Sequence, residues 1–235
     1  MPRTNEYGQA IGEAVPGWTA RPWPVDVTLN GRTCRLEPLD PIKHSNDLFE
    51  AYLLAPDGRD WTYMFEERFI ELEPFRKYIE RIAKGSDPKY YAVIDLTTDK
   101  AVGILSYLRI DPANGSIEVG WITFSPLLKQ TVQSTETHYL LMAYAFDELG
   151  YRRYEWKCDS LNAPSRKAAA RLGFRFEGIF RNAVVYKERN RDTAWFSIID
   201  TEWPTIKAAF QAWLKPENFD NQGKQIKTFV EFRGN

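Results

Sequence analysis

The chain has 235 residues, of which 43% are hydrophobic and 27% are charged, so it carries enough apolar side chains for a sizeable globular core. Its 31 basic and 32 acidic side chains leave a net charge of −1. Because a protein that neutralises nucleic-acid phosphates usually has a clear basic excess, we expect no nucleic-acid partner.

Cysteine and histidine are too sparse for a disulfide framework or a closely spaced metal site. They occur only as Cys34, Cys158, His44 and His138. The strand-like surroundings of the cysteines predict two buried thiols, and no metal is expected. No apolar run approaches the roughly 18 residues needed to cross a bilayer. Since no apolar segment of a secretory signal is visible either, we expect a cytoplasmic protein without a membrane partner.

Residues 1–31 are rich in Pro and Gly, which predicts an irregular N-terminal arm. The arm also contains Ile11, Val15, Trp18 and Trp23, whose exposure in a free tail would be unfavourable. We therefore expect the arm to lie across the domain surface and to bury some of these side chains. The alternative is that it reaches a second subunit of a homodimer.

Hydrophobic periodicity predicts regular elements from residue 32 onward. Strands are expected at residues 33–39, 90–94, 101–110, 116–124, 154–158, 174–186 and 194–199. Helices are expected at residues 41–54, 69–83, 164–172 and 203–214, with a further helix from Ser134 or Thr135 to residue 149. This order predicts a mixed α/β sheet in one domain of residues 32–214, followed by a C-terminal tail of residues 215–235.

Three segments carry candidate chemistry. In residues 117–126, Gly120 interrupts an otherwise good strand, which indicates a bulge that only bends the sheet or a splayed strand end with free backbone amides. Residues 129–136 lead into the long helix, whose N-terminal N–H groups suit a phosphate, although Ser134 could simply be an N-cap. Asn162 and Ser165 start a short helix beyond a strand end, a favoured place for binding and proton-transfer groups, and Asn162 would also cap that helix.

The third segment is the most distinctive. Asn162 and Ser165 form an Asn-x-x-Ser string that is followed by a helix, Leu-Gly-Phe at residues 172–174 and Glu-Gly at residues 177–178. This pattern resembles the end of the GNAT fold in the branch of N-acetyltransferases that acetylate ribosomal-protein N-termini. Asp192 and residues 197–203 are similar to that branch's last strand and closing helix. The resemblance covers residues 32–214.

The resemblance implies the GNAT acyl-CoA N-acyltransferase fold, in which helices flank a mostly antiparallel sheet that splays between its fourth and fifth strands. Acetyl-CoA would lie in the gap as co-substrate, with its pantetheine on the fourth strand and its pyrophosphate on the following loop and helix start. Asn162 would approach the pantetheine or the reacting centre, and Ser165 the coenzyme thiol. The implied cofactor-binding residues are Trp121, Ile122, Thr123, Phe124, Lys129, Gln130, Thr131, Val132, Gln133, Ser134, Thr135 and Asn162.

The sequence also departs from the family pattern. The usual pyrophosphate loop is Gln/Arg-x-x-Gly-x-Gly/Ala, and the matching positions here are Lys129, Val132 and Ser134, so the first glycine is missing. Val184 lies where some ribosomal-protein acetyltransferases carry a glutamate for proton removal. Both departures favour an alternative class, a non-catalytic acyl-CoA-binding or protein-interaction module, whereas the Asn162 and Ser165 pair disfavours it.

Direct acetyl transfer requires a base for the amine, an oxyanion donor and an acid for the departing thiolate. We assign the acid to Ser165, the oxyanion donor to a backbone N–H near Ile122 and the base to Glu118. Glu118 could instead be a surface carboxylate or the partner of an arginine, with Tyr186 or a water as the base. Strand alternation places Glu118 on the same face as Ile122 only if no bulge intervenes.

The resemblance favours a protein N-terminus as the acceptor, and a small-molecule amine of the polyamine or aminoglycoside type is the alternative. Residues 57–69 fall between the first two helices, a region that commonly shapes the acceptor site in this fold. Their acidic side chains would suit a cationic acceptor or could belong to a solvated loop. These residues are Asp57, Asp60, Glu66 and Glu67.

Overall fold

A computed structural model describes residues 3–234 of the chain. The strands are β1 Arg3–Thr4, β2 Ala10–Ile11, β3 Leu29–Asn30, β4 Cys34–Pro38, β5 Lys89–Asp95, β6 Lys100–Asp111, β7 Ser116–Phe124, β8 Arg153–Asp159, β9 Arg175–Tyr186 and β10 Arg189–Ile199. The helices are α1 Pro41–Leu53, α2 Leu72–Ala83, α3 Val132–Ala143, α4 Ala163–Leu172, α5 Trp203–Trp213 and α6 Phe229–Arg233. Short 3-10 turns occur at Arg59–Trp61 and Pro216–Asn218, and Tyr144–Glu148 continues α3 as a π-helix.

Eight strands form one sheet in the order β3-β4-β5-β6-β7-β8-β10-β9. Neighbouring strands run antiparallel except β7 and β8, which are parallel. Parallel neighbours need a crossover connection, and α3 supplies it. The predicted mixed α/β sheet with flanking helices is therefore confirmed.

Two apolar cores cover opposite faces of the sheet. The larger one packs α3 and α5 against β7, β8 and β10, with Tyr154 and Phe210 fully buried. The smaller one packs α1 and α2 against β5 and β6 around Phe75 and Ile79, which are also fully buried. Because α1 packs mainly on β6 and α2 mainly on β5, the same face of β8 and β10 stays available for a cleft.

Helix α3 starts earlier than the sequence predicts. Its N-cap is Thr131, whose hydroxyl oxygen accepts a hydrogen bond from the N–H of Ser134 at 3.2 Å, so the predicted start at Ser134 or Thr135 is wrong. The carboxylate of Glu136 fixes the first turns, because it accepts hydrogen bonds from the N–H groups of Arg32 and Thr33, both at 2.7 Å. This contact ties the start of α3 to the turn before β4.

The N-terminal arm follows the domain surface, but it buries less than expected. The indole N–H of Trp18 donates to the carbonyl oxygen of Ala113 at 2.8 Å, and the guanidinium of Arg21 lies 4.2 Å from the Trp18 ring centroid. Trp23 is 41% exposed, so the expected pocket for this side chain is absent from residues 3–234. Ile11 and Val15 are exposed as well.

Residues 215–234 pack against the domain. Phe229 is 1% exposed and its ring centroid lies 4.4 Å from that of Phe210 in α5. The guanidinium of Arg233 donates to the carbonyl oxygen of Ala170 at 2.8 Å, which joins α6 to α4. Within residues 3–234, no helix combines the length and the apolarity that crossing a bilayer requires.

Candidate active site

The parallel strands β7 and β8 pair along only part of their length. Their register runs from Ser116 opposite Arg153 to Val119 opposite Trp156 and then stops. Beyond that point β7 pairs only with β6, and β8 pairs only with β10. The two facing edges therefore diverge, and their backbone N–H and C=O groups are available to a ligand that carries amides.

A bulge in β7 opens this gap. The pairing of β7 with β6 shifts register between Gly120 and Thr123, and Trp121 has a φ of 51°, in the left-handed region. A side chain at position 120 would bring its Cβ to 2.8 Å from a methyl carbon of Leu108, so glycine lets the Leu108 side chain lie against the backbone of β7. Gly120 thus marks both a bulge and the splayed strand end that the sequence suggested.

A cavity of about 1510 Å³ occupies the gap and extends to the start of α3, to α4 and to the β9–β10 hairpin. Most of the predicted site residues line it: Glu118, Trp121, Ile122, Phe124, Lys129, Gln130, Thr131, Val132, Ser134, Thr135, Asn162 and Ser165. Thr123 and Gln133 do not line it. The Thr123 carbonyl oxygen accepts from the hydroxyl of Tyr52, and that of Gln133 lies 3.7 Å from Cys34 Sγ, so both already have partners inside the protein.

Glu118 lies in the wall of the cavity and is 5% exposed. Burial raises the pKa of its carboxyl group, and the charges of Lys157 and Arg109 oppose that rise. Lys157 Nζ is 2.9 Å and Arg109 Nε is 3.2 Å from Oε2. These contacts are ion pairs, because no group in residues 3–234 meets Oε2 at a hydrogen-bonding angle. The carboxylate is thus desolvated, held by cations and still able to accept a proton.

The bulge changes which side chains share a face with Glu118. Ile122 packs against the core of α3 and α5, as Val119 does, whereas Trp121 packs toward the core of α1 and α2. Glu118 therefore faces the side of Trp121, and the condition for its sharing a face with Ile122 is not met. The base candidate and the Ile122 side chain lie on opposite faces of the sheet.

Asn162 and Ser165 meet at the start of α4. The side-chain oxygen of Asn162 accepts a hydrogen bond from the N–H of Ser165 at 3.1 Å, so the predicted capping role is confirmed. Ser165 Oγ accepts from the indole N–H of Trp156 at 3.0 Å, which leaves the serine proton free to donate. Burial raises the pKa of Cys158, so this neighbouring thiol stays protonated at neutral pH.

Tyr186 is held as a hydrogen-bond donor. Its hydroxyl donates to Asp159 Oδ2 at 2.9 Å, and burial together with this carboxylate raises the pKa of Tyr186 to about 12. A phenol with this pKa keeps its proton at neutral pH, which argues against Tyr186 as the base. Asp159 lines the cavity and is 5% exposed. Asp159 is not among the residues predicted from the sequence, although its position at the end of β8 was a usable signal.

Two cavity residues beside the start of α3 were also missed. Arg171, in the last turn of α4, donates to Thr135 Oγ1 at 2.7 Å. His138 is 5% exposed, and its Nδ1 has no hydrogen-bond partner within residues 3–234. Lys129, the cation predicted for this place, forms an ion pair with Asp60. Since α4 and α3 are distant in sequence, no local pattern could have placed Arg171 at the start of α3.

The segment between α1 and α2 lines one side of the cavity. The ring of Phe65 lies 5.4 Å from those of both Trp121 and Tyr186, and the hydroxyl of Tyr63 donates to the carbonyl oxygen of Leu161 at 3.1 Å. The four acidic side chains of this segment each pair with a cation of the same chain. The pairs are Asp57–Arg59, Asp60–Lys129, Glu66–Arg81 and Glu67–Lys187. These acids therefore offer little free negative charge to a cationic acceptor.

Residues 35–175 match a protein family described as the acetyltransferase (GNAT) domain. A solved GCN5-related N-acetyltransferase from Brucella melitensis is 49% identical, covers 93% of this chain and 99% of its own, and has a TM-score of 0.92. The ribosomal-protein-serine acetyltransferase of Escherichia coli strain K12 is 31% identical over 110 residues, which are 44% of this chain and 58% of the relative.

A ribosomal L7/L12 alpha-N-protein acetyltransferase, solved in complex with coenzyme A, is 19% identical and shows the fold alone, with a TM-score of 0.59 over 74% of this chain and 99% of that one. The family match spans more than half of the chain. The sheet order and the gap between β7 and β8 agree with the fold that the sequence resemblance implied. The chain therefore belongs to the GNAT family of N-acetyltransferases.

Proposed function

We propose that the protein transfers the acetyl group of acetyl-CoA to a primary amine by direct attack, without an acyl-enzyme intermediate. The observation that carries the proposal is the arrangement of the cavity, where Glu118 and Ser165 line one space beside the unpaired edges of β7 and β8. The fold neighbour solved with coenzyme A supports the choice of co-substrate. The protonated, buried thiol of Cys158 favours direct transfer over an acyl-cysteine.

The coenzyme would follow the gap from one end to the other. The amides of the pantetheine would pair with the free edge of β7 at Trp121, Ile122 and Phe124, and the pyrophosphate would accept from N–H groups at the start of α3. A helix start suits this ligand because its N–H groups are unpaired and its dipole is positive there. The carbonyl oxygens of Thr123 and Gln133 are already engaged, so these residues would contribute through their backbone N–H groups, and that of Gln133 belongs to the first turn of α3.

The proposed reaction assigns one proton to each of two side chains. The amine gives a proton to Glu118, directly or through a water, and its nitrogen attacks the thioester carbonyl carbon. A backbone N–H of β7 near Ile122 stabilises the oxyanion that forms. When the intermediate collapses, the C–S bond breaks and Ser165 donates its hydroxyl proton to the thiolate. Water then returns the proton held by Glu118 to the serine oxygen, so both side chains end in their starting states. Lys157 and Arg109 beside Glu118 would repel an ammonium ion, so they favour the neutral amine that can attack.

We propose a protein N-terminus as the acceptor. The support is the similarity to a ribosomal-protein-serine acetyltransferase and the internal pairing of the four acidic side chains near the mouth, which removes the free charge that a polyamine or an aminoglycoside would need. Coenzyme A release should be measured with acetyl-CoA and a free-N-terminus peptide, its N-terminally blocked form, a polyamine and an aminoglycoside. Turnover with the free peptide alone supports the proposal.

The other outcomes of this assay separate the competing functions. Turnover with the polyamine or the aminoglycoside alone would identify a small-molecule acetyltransferase. Binding of acetyl-CoA by calorimetry, without turnover on any of the amines, would favour the non-catalytic acyl-CoA-binding module. The absence of both binding and turnover would contradict acetyl-CoA dependence itself.

Glu118→Gln tests the base. We expect kcat to fall by about 100-fold or more, because the amide cannot take the proton from the amine. The matched control is Glu155→Gln, since Glu155 also contacts Lys157, with 2.7 Å between Oε2 and Nζ, but does not line the cavity. The control should retain activity within about threefold, under 1 kcal/mol of barrier. Equal losses in both variants would show that only the charge around Lys157 matters.

A further inference from the structure

The far end of the coenzyme cavity is built by a part of the chain outside the family match, which ends at residue 175. Gly223, Lys224 and Gln225 line this end together with Trp213 and Phe219. The same cavity contains the start of α3 and Arg171 on α4. Residues 215–234 therefore supply a wall of the proposed coenzyme site that the sequence resemblance did not include.

This wall is fixed by hydrogen bonds. Asn218 is 5% exposed, and its side-chain nitrogen donates to the carbonyl oxygens of Trp213 and Lys227, each at 3.1 Å. The indole N–H of Trp213 donates to the Gln225 side chain at 2.8 Å. The N–H of Lys224 donates to the carboxylate of Asp220 at 2.9 Å and closes a tight turn. The backbone of Lys224 is thus held in one place relative to α5.

The cationic side chains that line the cavity are not all paired with carboxylates. Lys129, Arg109 and Lys157 line the cavity, and each has a carboxylate partner. Arg171, Arg191 and Lys224 also line it, but no carboxylate of residues 3–234 lies within 4 Å of these side-chain cations. Arg191 is held on β10, where its Nε donates to Thr193 Oγ1 at 3.1 Å. Arg171 is oriented by its bond to Thr135 at the start of α3. Arg171 beside this helix start and Lys224 in the same cavity create a positive potential that favours an anion.

We infer that Arg171 and Lys224 bind the phosphate groups at the nucleotide end of the coenzyme, with Lys224 on the 3′-phosphate of the ribose. The inference rests on the proposed acetyl-CoA function. The N–H groups at the start of α3 serve the pyrophosphate, so the 3′-phosphate is the anionic group of the ligand that still needs a cation. Lys224 is exposed at the rim, and the rings of Trp213 and Phe219 beside it suit the adenosine.

Two ligands that differ only in the 3′-phosphate provide the test. Calorimetry should compare coenzyme A with 3′-dephospho-coenzyme A on the full chain, on Lys224→Gln and on Lys227→Gln. Lys227 belongs to the same segment but does not line the cavity, and its ammonium lies 5.9 Å from the ring centroid of Phe232. We expect the unchanged chain and Lys227→Gln to bind coenzyme A about tenfold or more tightly than the dephospho form, as a charge-assisted contact predicts.

Lys224→Gln should lose most of this preference while its affinity for the dephospho form stays the same. A melting-temperature measurement on each variant confirms that the fold is retained. Equal affinity of the unchanged chain for both ligands would overturn this inference and leave the proposed function standing. A preference that survives in Lys224→Gln would overturn the assignment to Lys224. If neither ligand bound, the coenzyme site itself would be wrong, and the inference would fail with it.

Discussion

Ser165 occupies a position where one hydroxyl can serve two partners. Ser165 Oγ accepts a hydrogen bond from the indole N–H of Trp156, which leaves the hydroxyl proton available to donate. The backbone N–H of Ser165 donates to the side-chain oxygen of Asn162, which holds the residue in the first turn of α4. The structural role of Asn162 as a helix cap and the proposed catalytic role of Ser165 are therefore compatible. The cap holds the serine at the edge of the cavity where the coenzyme thiol is proposed to leave.

Ser165→Ala should lower kcat more than it weakens the binding of acetyl-CoA, because the hydroxyl is proposed to act when the thiolate departs. Steady-state kinetics and calorimetry on the same preparation separate the two effects. Ser160→Ala is the control, since Ser160 lies on the same loop and does not line the cavity. A fall in kcat of less than about threefold, roughly 0.7 kcal/mol of barrier, would rule out Ser165 as the acid.

Glu118 was predicted as the base from its place in the strand, and the structure adds what its surroundings do to the proton. Burial raises its pKa, so the carboxylate loses its proton at a higher pH than an exposed glutamate would. In the pH dependence of kcat/KM, the rising limb that belongs to Glu118 should therefore lie above the ordinary glutamate range. Burial is the larger effect and sets the direction of the pKa shift, while the charges of Lys157 and Arg109 reduce its size.

At the scale of elements, the bulge in β7 and the early start of α3 shape the site together. The bulge ends the pairing with β8, and the cap at Thr131 presents the first turn of α3 to the opening. The sequence indicated the bulge through Gly120, and the polar loop before the helix indicated that a helix start lies near the opening. The predicted helix start is too late, because Val132 is β-branched and such residues have a lower helix propensity.

The N-terminal arm gives a second prediction at this scale. Trp18→Ala should lower the free energy of unfolding by about 1–2 kcal/mol, since the half-buried ring packs against Gly115 and between Arg21 and Arg152. Trp23→Ala is the matched control, because Trp23 is 41% exposed and should have a smaller effect. Urea denaturation measures both. A larger loss for Trp23→Ala would indicate that Trp23 is buried in an assembly, such as the homodimer that stays a prediction.

At the scale of the whole molecule, one buried histidine links stability to pH. The His138 ring lies 5.7 Å from that of Phe124 and 5.2 Å from that of Trp156, and its Nδ1 is unpartnered within residues 3–234. Burial, and then the charge of Arg171, lower the pKa of His138 from 6.5 to about 3. As the pH falls, His138 is therefore protonated in the unfolded chain at a higher pH than in the folded protein. The contribution of His138 to stability is complete above pH 6.5 and is lost progressively as the pH falls toward 3.

His138→Phe removes this titration and keeps an aromatic ring in the core. Between pH 7.5 and pH 5.0, the unchanged chain should lose about 2 kcal/mol more unfolding free energy than the variant, as linkage with a pKa near 3 predicts. Urea denaturation at the two pH values measures the difference. His44 is present in both proteins, so its contribution to the pH dependence of stability cancels in the difference. Parallel losses in the two proteins would show that His138 has the same pKa in the folded and unfolded chains, which would contradict its lowered pKa.

The amino-acid sequence by itself determined the order of strands and helices from β4 to α5, the family resemblance and the position of Asn162 and Ser165 at a helix start, but it predicted none of β1, β2, β3 and α6. These features depend on neighbouring residues, since periodicity, capping and turn propensity all act within a few positions of the chain. For the same reason Gly120 pointed to the place where the strand departs from regular pairing. A local signal was enough to identify the segments that line the cavity.

Only the tertiary structure decided which side chains meet across distant parts of the chain. It paired the acids of residues 57–67 with cations, turned Ile122 to the face opposite Glu118, and brought Arg171 and Lys224 to the far end of one cavity. It also showed that Trp18 forms a hydrogen bond with the domain, whereas Trp23 is 41% exposed. These outcomes depend on register, on one bulge and on packing between elements separated by tens of residues. A periodic sequence pattern cannot predict such contacts, because each depends on the free energy of the whole fold.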